Sequence, residues 1–352
     1  MPTLGVAAKR GVLTQRQVIE KLYLAAMAKL RRQENGSISQ LMAHYRRAQD
    51  EIVAQIYNRY GETEGWTLLQ WEQSGRLRAM LGTIEEILGR LRASAMDEIV
   101  RGSEIQFFGS YDQTAWTIDQ ATPPKVQAVW SRPPEDAVKI LVNTPYKGAM
   151  FSQRLGLITN AMAADLRDEL IQSLIQGESM QTAAKRVQQV IGATRTQDPR
   201  SYAYRAKTIA QTEIMRAQNL ARSFVYEQNK DLLVNDKDTE WLVTPDDKLC
   251  PWCMRREGKT DAEIEAAPAE ANGKEDPFGR SVDQPLHPHC RCTKIPKLKT
   301  WKDLIGLDMP EAMGNDFRGM RKDNGDWSIQ PVEKFESWLI KKVGDFAPGG
   351  DL

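Results

Sequence analysis

Cys250-Pro251-Trp252-Cys253 and His287-Pro288-His289-Cys290-Arg291-Cys292 decide how this chain is read. The two short stretches hold all 4 cysteines and two of the 3 histidines among 352 residues. Soft ligands gathered so closely point to one local metal site, with zinc as the first candidate. Zinc takes about four nitrogen or sulfur ligands in a tetrahedron, and a Cys-x-x-Cys turn supplies two with the right bite. The candidate ligands are Cys250, Cys253, His287, Cys290 and Cys292. The four cysteines alone would make an all-cysteine site, and His287 in place of Cys290 or Cys292 would make a Cys₃His site. His289, beside Cys290, is expected to point elsewhere. Pro251, Pro285 and Pro288 stiffen the ligand turns and reduce the entropy lost on binding. A metal held here would tie the long acidic segment between the two stretches back onto its own base, at modest entropic cost.

Three chemistries fit such a cluster. A structural zinc is favoured. A catalytic zinc would keep a water in its fourth position and a carboxylate base close by. Paired thiols, or a site without metal, are the third. Asp246, Asp247 and Glu257 are near in sequence but are expected to be solvated turn residues. Neither His-Glu-x-x-His nor His-x-Glu…Cys-x-x-Cys occurs. A Gly-rich phosphate loop and a Gly-x-Ser-x-Gly elbow are also lacking. His44 lies in a basic helical stretch and reads as a surface residue, so a conventional histidine base is scarce.

Around the cluster the chain reads as mainly α, with a small α+β module toward the C-terminus. Thr14 can cap a helix through Leu30, and Ser37 or Ser39 a second through Tyr60, stopped at Gly61. A third is expected from about Leu68 to Val100, weakened at Gly82 and Gly89. Thr122-Pro-Pro-Lys, Ser131-Arg-Pro-Pro and Asn143-Thr-Pro-Tyr mark a non-helical connector. Leu155, Ile158, Met162, Leu166, Leu170 and Leu174 define a helix ending at Gly177. Ser179 caps the next, which stops at Gly192, and the pair reads as an αα-hairpin rather than a DNA-reading helix-turn-helix. Tyr204 to Asn229 is a further helix, with Glu213 and Arg216 spaced to pair. Leu232-Leu-Val and Glu240-Trp-Leu-Val-Thr carry β signals, and residues 257–285 read as a loop. The expected divisions are a helical region over 1–120, a Pro-rich connector over 121–148, a module over 149–298 and an extension over 299–352.

Net charge is +1, so no global excess favours a polyanion, but the charge is uneven. Residues 1–60 are basic, residues 231–285 are acidic, and Arg291, Lys294, Lys297, Lys299 and Lys302 form a run without an acid. Such asymmetry suggests local contact surfaces. No secretory h-region and no run of about 18 apolar residues is present, so no membrane segment is expected. Clustered cysteines do not resemble a disulfide scaffold, and synthesis in a reducing cytosol is the natural expectation.

Read together, Phe151-Ser-x-Arg154, Gly177-x-Ser179, Thr212-Glu213-x-x-Arg216-Ala217-x-Asn219, Trp241, Thr244-x-Asp246-Asp247-x-x-Cys250-Pro-x-Cys253, Gly258-Lys259 and Pro285-x-His287-Pro288-x-Cys290-Arg291-Cys292 resemble the Mu F-like phage head morphogenesis family. The resemblance covers about 150–295. It departs at Gln211, where the family often has arginine. It implies a non-enzymatic minor head protein of a tailed phage or prophage, acting in head assembly. The implied partners are the portal protein and capsid proteins; weak non-specific contact with packaged DNA is a secondary reading that rests on the basic segments 1–60 and 291–302. The implied places are the virion head and the bacterial host cytoplasm during assembly. The runner-up function is a zinc-dependent nuclease or hydrolase acting during head maturation.

Overall fold

A computed structural model describes residues 14–306, except 64, 124, 135, 196, 236–237, 245–249, 268–269 and 272–273, together with 317–321, 327–331, 337–338 and 341. The fold is mainly helical, with short antiparallel strand pairs toward the C-terminus, as the sequence predicts.

Helix α1 (Gln15–Gly61) is continuous where two helices were expected. Its start is as read: the Thr14 hydroxyl accepts from the Gln17 N–H at 3.3 Å, and Gln17 Oε1 accepts from the Thr14 N–H at 2.8 Å. Gly36 costs roughly 1 kcal/mol against alanine inside a helix. That cost is outweighed because Leu30, Ile38, Leu41, Met42 and Tyr45 are buried on either side of it. Ser37 is itself buried and continues the helix instead of capping one. Helix α2 (Leu68–Gln73) opens on a Thr67–Gln70 capping box. Helix α3 (Arg76–Ala121) runs well past Val100, because its later turns bury Phe107, Tyr111, Ala115 and Ile118. Gly82 and Gly89 lie within it. The Pro-rich segment is not wholly irregular, since it contains α4 (Asp136–Val142).

Helices α5 (Phe151–Ile175) and α6 (Met180–Ile191) pack together as the αα-hairpin read from sequence. Ser179 caps α6 by accepting from the Thr182 N–H at 3.3 Å, and Gly192 ends it at φ 66°. A Cβ on Gly192 would lie 2.3 Å from the Ser201 Cβ. Gly192→Ala therefore combines a left-handed backbone with a clash and should lower stability by about 1–3 kcal/mol in a denaturant titration. An unchanged midpoint would contradict this reading.

Helix α7 (Tyr202–Gln228) follows. Next come β1 (Thr239–Leu242), α8 (Pro251–Met254), α9 (Asp261–Ala266), β2 (Glu270–Ala271), β3 (Lys274–Glu275), β4 (Thr293–Pro296), α10 (Trp301–Ile305), β5 (Phe317–Arg321) and β6 (Trp327–Pro331). Residues 257–285, expected as a loop, thus hold α9 and the β2–β3 pair. The missed signal is Thr260-x-x-Glu263, a reciprocal capping box.

Contacts divide the chain into two compact units, neither continuous in sequence. One comprises residues 31–106 and 134–217. Its core includes Leu41, Ile52, Ile84, Leu155, Leu166, Leu170 and Val187. It also buries a charge cluster: Glu213 is 1% exposed, accepts from Arg154 on one carboxylate oxygen, and accepts from Arg216 at 2.7 Å on the other. Both guanidinium groups lie over the Tyr146 ring, 5.6 and 5.1 Å from its centroid. The other unit comprises residues 1–30, 107–133 and 218–352. There the Asn229 side chain holds the backbone of Val129, accepting from its N–H at 2.6 Å and donating to its carbonyl at 3.1 Å. Trp301 donates its indole N–H to the Ala121 carbonyl at 3.1 Å.

Candidate metal centre

Strands β1 and β4 bring the two ligand stretches together. They pair antiparallel from Thr239 opposite Pro296 to Leu242 opposite Thr293. The chain leaving β1 toward Cys250 and the chain entering β4 from Cys292 therefore meet at the same end of the pair. Trp241 is buried at this end and packs with Cys253, Ile264, Leu286, Cys290 and Cys292. On the outer edge of β1, the Trp241 N–H donates to the Lys259 carbonyl at 2.9 Å, and the Gly258 N–H donates to the Trp241 carbonyl at 2.8 Å.

All five predicted ligands converge. Cys250, Cys253 and His287 form one group with ligand atoms within 4.8 Å of one another, and Cys253, Cys290 and Cys292 form a second. Cys253 belongs to both. His287 Nε2 lies 3.1 Å from the Cys250 sulfur and 3.2 Å from that of Cys253. The Cys253 and Cys290 sulfurs are 3.8 Å apart. This is about the edge of a tetrahedron with zinc–sulfur bonds of ~2.3 Å. All four cysteines are free thiols. His289, at φ 62°, is not in either group, as expected. His44 lies on α1 with its Nδ1 2.9 Å from Arg47 and is likewise outside both.

Local structure presets the donors. Cys250 is the N-cap of α8, with Pro251 as the first helical residue, and its sulfur accepts from the Cys253 N–H at 3.3 Å. His287 Nδ1 lies 2.7 Å from the Pro288 carbonyl. A carbonyl only accepts, so Nδ1 donates to it and Nε2 is the ring atom turned toward the sulfurs. The ring is also packed against Phe278, with centroids 5.3 Å apart. The Trp241 indole N–H is buried without an oxygen or nitrogen acceptor among the described residues, and it faces Cys292, whose thiol it favours ionising. These donors, together with an orphaned N–H aimed at a sulfur, fit a thiophilic divalent ion.

The electrostatics of the thiols agree. Hydrogen bonding from Cys253 and Cys292 holds Cys290 down to about 2. The corresponding bond to Cys290 drives the Cys253 thiol far upward. Cys292 is pushed up to about 12, because its bond to Cys253 is outweighed by the bond to Cys290 and by burial. A divalent ion held here would bind these sulfurs as thiolates, so binding it would release their protons.

The loop between the ligand stretches is clipped independently. Arg256, 3% exposed, donates to Asp276 at 2.9 Å and to the carbonyls of Trp252 and Gly279, each at 2.9 Å. Of the nearby acids, Glu257 accepts from the Val243 N–H at 2.7 Å and lies 3.7 Å from Arg16. No carboxylate joins the ligand groups among the described residues. Asp246 and Asp247 lie outside the described residues. Three residues of the basic run meet the acidic segment, two of them at carboxylates and one at a backbone carbonyl. Lys294 pairs with Asp261 at 2.7 Å, Lys297 lies 3.9 Å from Glu240, and Lys299 donates to the Asp231 carbonyl at 2.7 Å.

Sequence reasoning missed Arg222, which stands behind β4. It is 2% exposed and donates to Asn219 Oδ1 at 3.1 Å and to the Thr293 hydroxyl. Thr293 donates to the same Asn219 oxygen at 3.0 Å. The guanidinium lies 5.7 Å from the Tyr23 ring centroid. The Tyr226 hydroxyl donates to the Lys294 carbonyl at 2.7 Å, leaving its oxygen to accept from Tyr23 at 2.8 Å. The legible signal was a charged residue three positions after Asn219, on a face otherwise carrying Ala221 and Val225.

Residues 164–295 match the family described as Phage Mu protein F like protein, which bears out the resemblance from the middle of α5 to β4 and includes all five candidate ligands. The chain is also 26% identical over 211 residues to an NAD(+)–arginine ADP-ribosyltransferase, EFV, of Enterococcus faecalis (strain ATCC 700802 / V583). That similarity covers 59% of this chain and 38% of the relative, so the chain spans about two fifths of the relative's length. No solved structure matches. Among the described residues, no helix is long and apolar enough to cross a membrane.

Proposed function

We propose that this chain is a structural minor head protein of a tailed phage or prophage, and that its Cys/His cluster holds a structural zinc ion. The observation that carries the reading is the family match over residues 164–295. It takes in the second half of α5, then α6, α7 and both ligand stretches. The cluster's composition supports a structural ion: its donors are sulfur and imidazole, with no carboxylate beside them among the described residues. Cys250, Cys253, His287 and Cys290 or Cys292 would hold the ion. Its chemistry there is to cross-link deprotonated ligands and so stabilise a strand pair too small to fold alone.

The partners in this reading are the portal protein and capsid proteins, and the site of action is the head. Contact with packaged DNA would be weak and non-specific, because Lys294, Lys297 and Lys299 already have partners within the chain. A steep fall of DNA affinity with salt would be its mark. Quantitative mass spectrometry of purified particles and empty proheads tests the role. A few copies per particle, alongside portal protein, is the expected result. Absence from both would overturn it and bring forward a zinc-dependent nuclease or hydrolase. Activity lost to a chelator while the fold persists would establish that enzyme.

A further inference from the structure

Five donors converge where a tetrahedral ion takes about four. Cys250 groups with Cys253 and His287, whereas Cys290 and Cys292 group with Cys253. His287 is thus the donor on the Cys250 side of the cluster, with Nε2 3.1 and 3.2 Å from the two α8 sulfurs. Its ring is held by the Pro288 carbonyl at Nδ1 and by Phe278, whose plane is tilted 33° to it. Phe278 is in turn fixed from α8. Its N–H donates to Asp276 Oδ1 at 2.9 Å, and Asp276 Oδ2 accepts from Arg256 at 2.9 Å. The same guanidinium holds the Trp252 carbonyl, between Cys250 and Cys253, and the Gly279 carbonyl, next after Phe278. The backbone N–H of Arg256 donates to the Cys253 carbonyl at 3.0 Å, so the guanidinium is carried by the turn that bears both sulfurs.

Arg256 and Asp276 are both buried, so water competes little for either, and losing one partner would leave the other charge stranded. Their pairing is therefore a stiff joint. It ties the turn that carries two ligands to the turn whose aromatic ring backs a third. We propose that the Arg256–Asp276 pair is the positioning device for His287. By holding Phe278 against the imidazole it presents Nε2 to the ion ahead of the fourth thiol. The ligand set is then Cys250, Cys253, His287 and one of Cys290 and Cys292. The inference rests on the metal reading above. Groups that orient a metal ligand without binding the ion typically alter affinity about 10–100-fold.

The test is a cycle of zinc affinities on the full chain, measured by competition with a chromophoric chelator. The proteins are the unaltered chain, His287→Ala, Arg256→Met combined with Asp276→Asn, and all three substitutions together. Replacing both partners of the pair avoids leaving either charge buried alone. The paired variant should bind zinc about 10–100-fold more weakly than the unaltered chain, and His287→Ala should lose at least as much. The triple variant should match His287→Ala within about threefold, because a ring that is gone cannot be positioned. A pair that only stabilises the module would instead give losses that multiply. Multiplied losses, or unchanged affinity in the paired variant, overturn the positioning role and leave the metal centre standing. Unchanged affinity in His287→Ala also overturns it and leaves an all-cysteine centre. If the unaltered chain takes up no zinc, the centre itself fails and the positioning role with it. Should the paired variant not fold, Phe278→Leu takes its place in the cycle. A loss that vanishes in the His287→Ala background then supports the proposal, and unchanged affinity or multiplied losses overturn it.

Discussion

Cys253→Ser is expected to abolish tight zinc binding and to unfold the β1–β4 module while the helices of residues 31–106 remain folded. Cys253 is the member common to both ligand groups and is 1% exposed, so no other cysteine can take its place without moving the α8 turn. Binding of a structural zinc contributes folding free energy directly, on the order of 10 kcal/mol or more in small zinc modules at neutral pH. β1 and β4 are 4 residues each and form a sheet of two strands. Such a pair is marginal by itself. Hydrogen exchange is the direct readout. Amides of Trp241, Gly258 and Cys290, protected by backbone bonds in the native protein, should exchange at the rate of open chain in the variant and in chelator-treated protein. Protection in α5 and α6 should persist. Equal loss of protection throughout the chain would show that the cluster is not a separate stabilising unit. Unchanged protection everywhere would show that the sulfurs stabilise nothing.

The second large effect lies in the other unit. Glu213→Gln should destabilise it by about 3–5 kcal/mol, because removing one partner leaves two guanidinium groups crowded without their carboxylate. Glu213 is 1% exposed and its partners Arg154 and Arg216 are 23% and 10% exposed, so water screens the cluster only in part. Both arginines also share the Tyr146 ring, which attracts each cation but does nothing to reduce their mutual repulsion. Denaturant unfolding should show the loss, and Arg154→Met combined with Glu213→Gln should recover part of it. A change below about 1 kcal/mol would mean the pair is no more than a surface ion pair.

The parts of this fold legible in the sequence are those in which one local signal had no competitor. Ser179 and Gly192 bound α6 as read, because an N-cap hydroxyl and a left-handed glycine each do one thing. The five candidate ligands, which the structure places together, could be picked out because cysteine and histidine are otherwise almost lacking in the chain. The misreadings arose where tertiary burial outweighs a local preference. Gly36 and Ser37 look like a break, yet α1 runs through them because the apolar stripe on either side is buried. The polarity of residues 257–285 concealed α9, whose capping box is written in Thr260 and Glu263. The pairings Arg154–Glu213, Arg256–Asp276 and Arg222–Thr293 join residues far apart in sequence. Charge counting along the chain does not reveal such partners, and it likewise left open that Lys294 and Lys297 of the basic run meet Asp261 and Glu240 of the acidic segment.

The most direct measurement is elemental analysis with X-ray absorption at the zinc edge, on the full chain purified without chelator. The account predicts about one zinc per chain, bound by three or four sulfurs at ~2.3 Å with at most one nitrogen at ~2.0–2.1 Å. A chain with no bound metal, or an ion surrounded mainly by oxygen and nitrogen with a coordinated water, would contradict it.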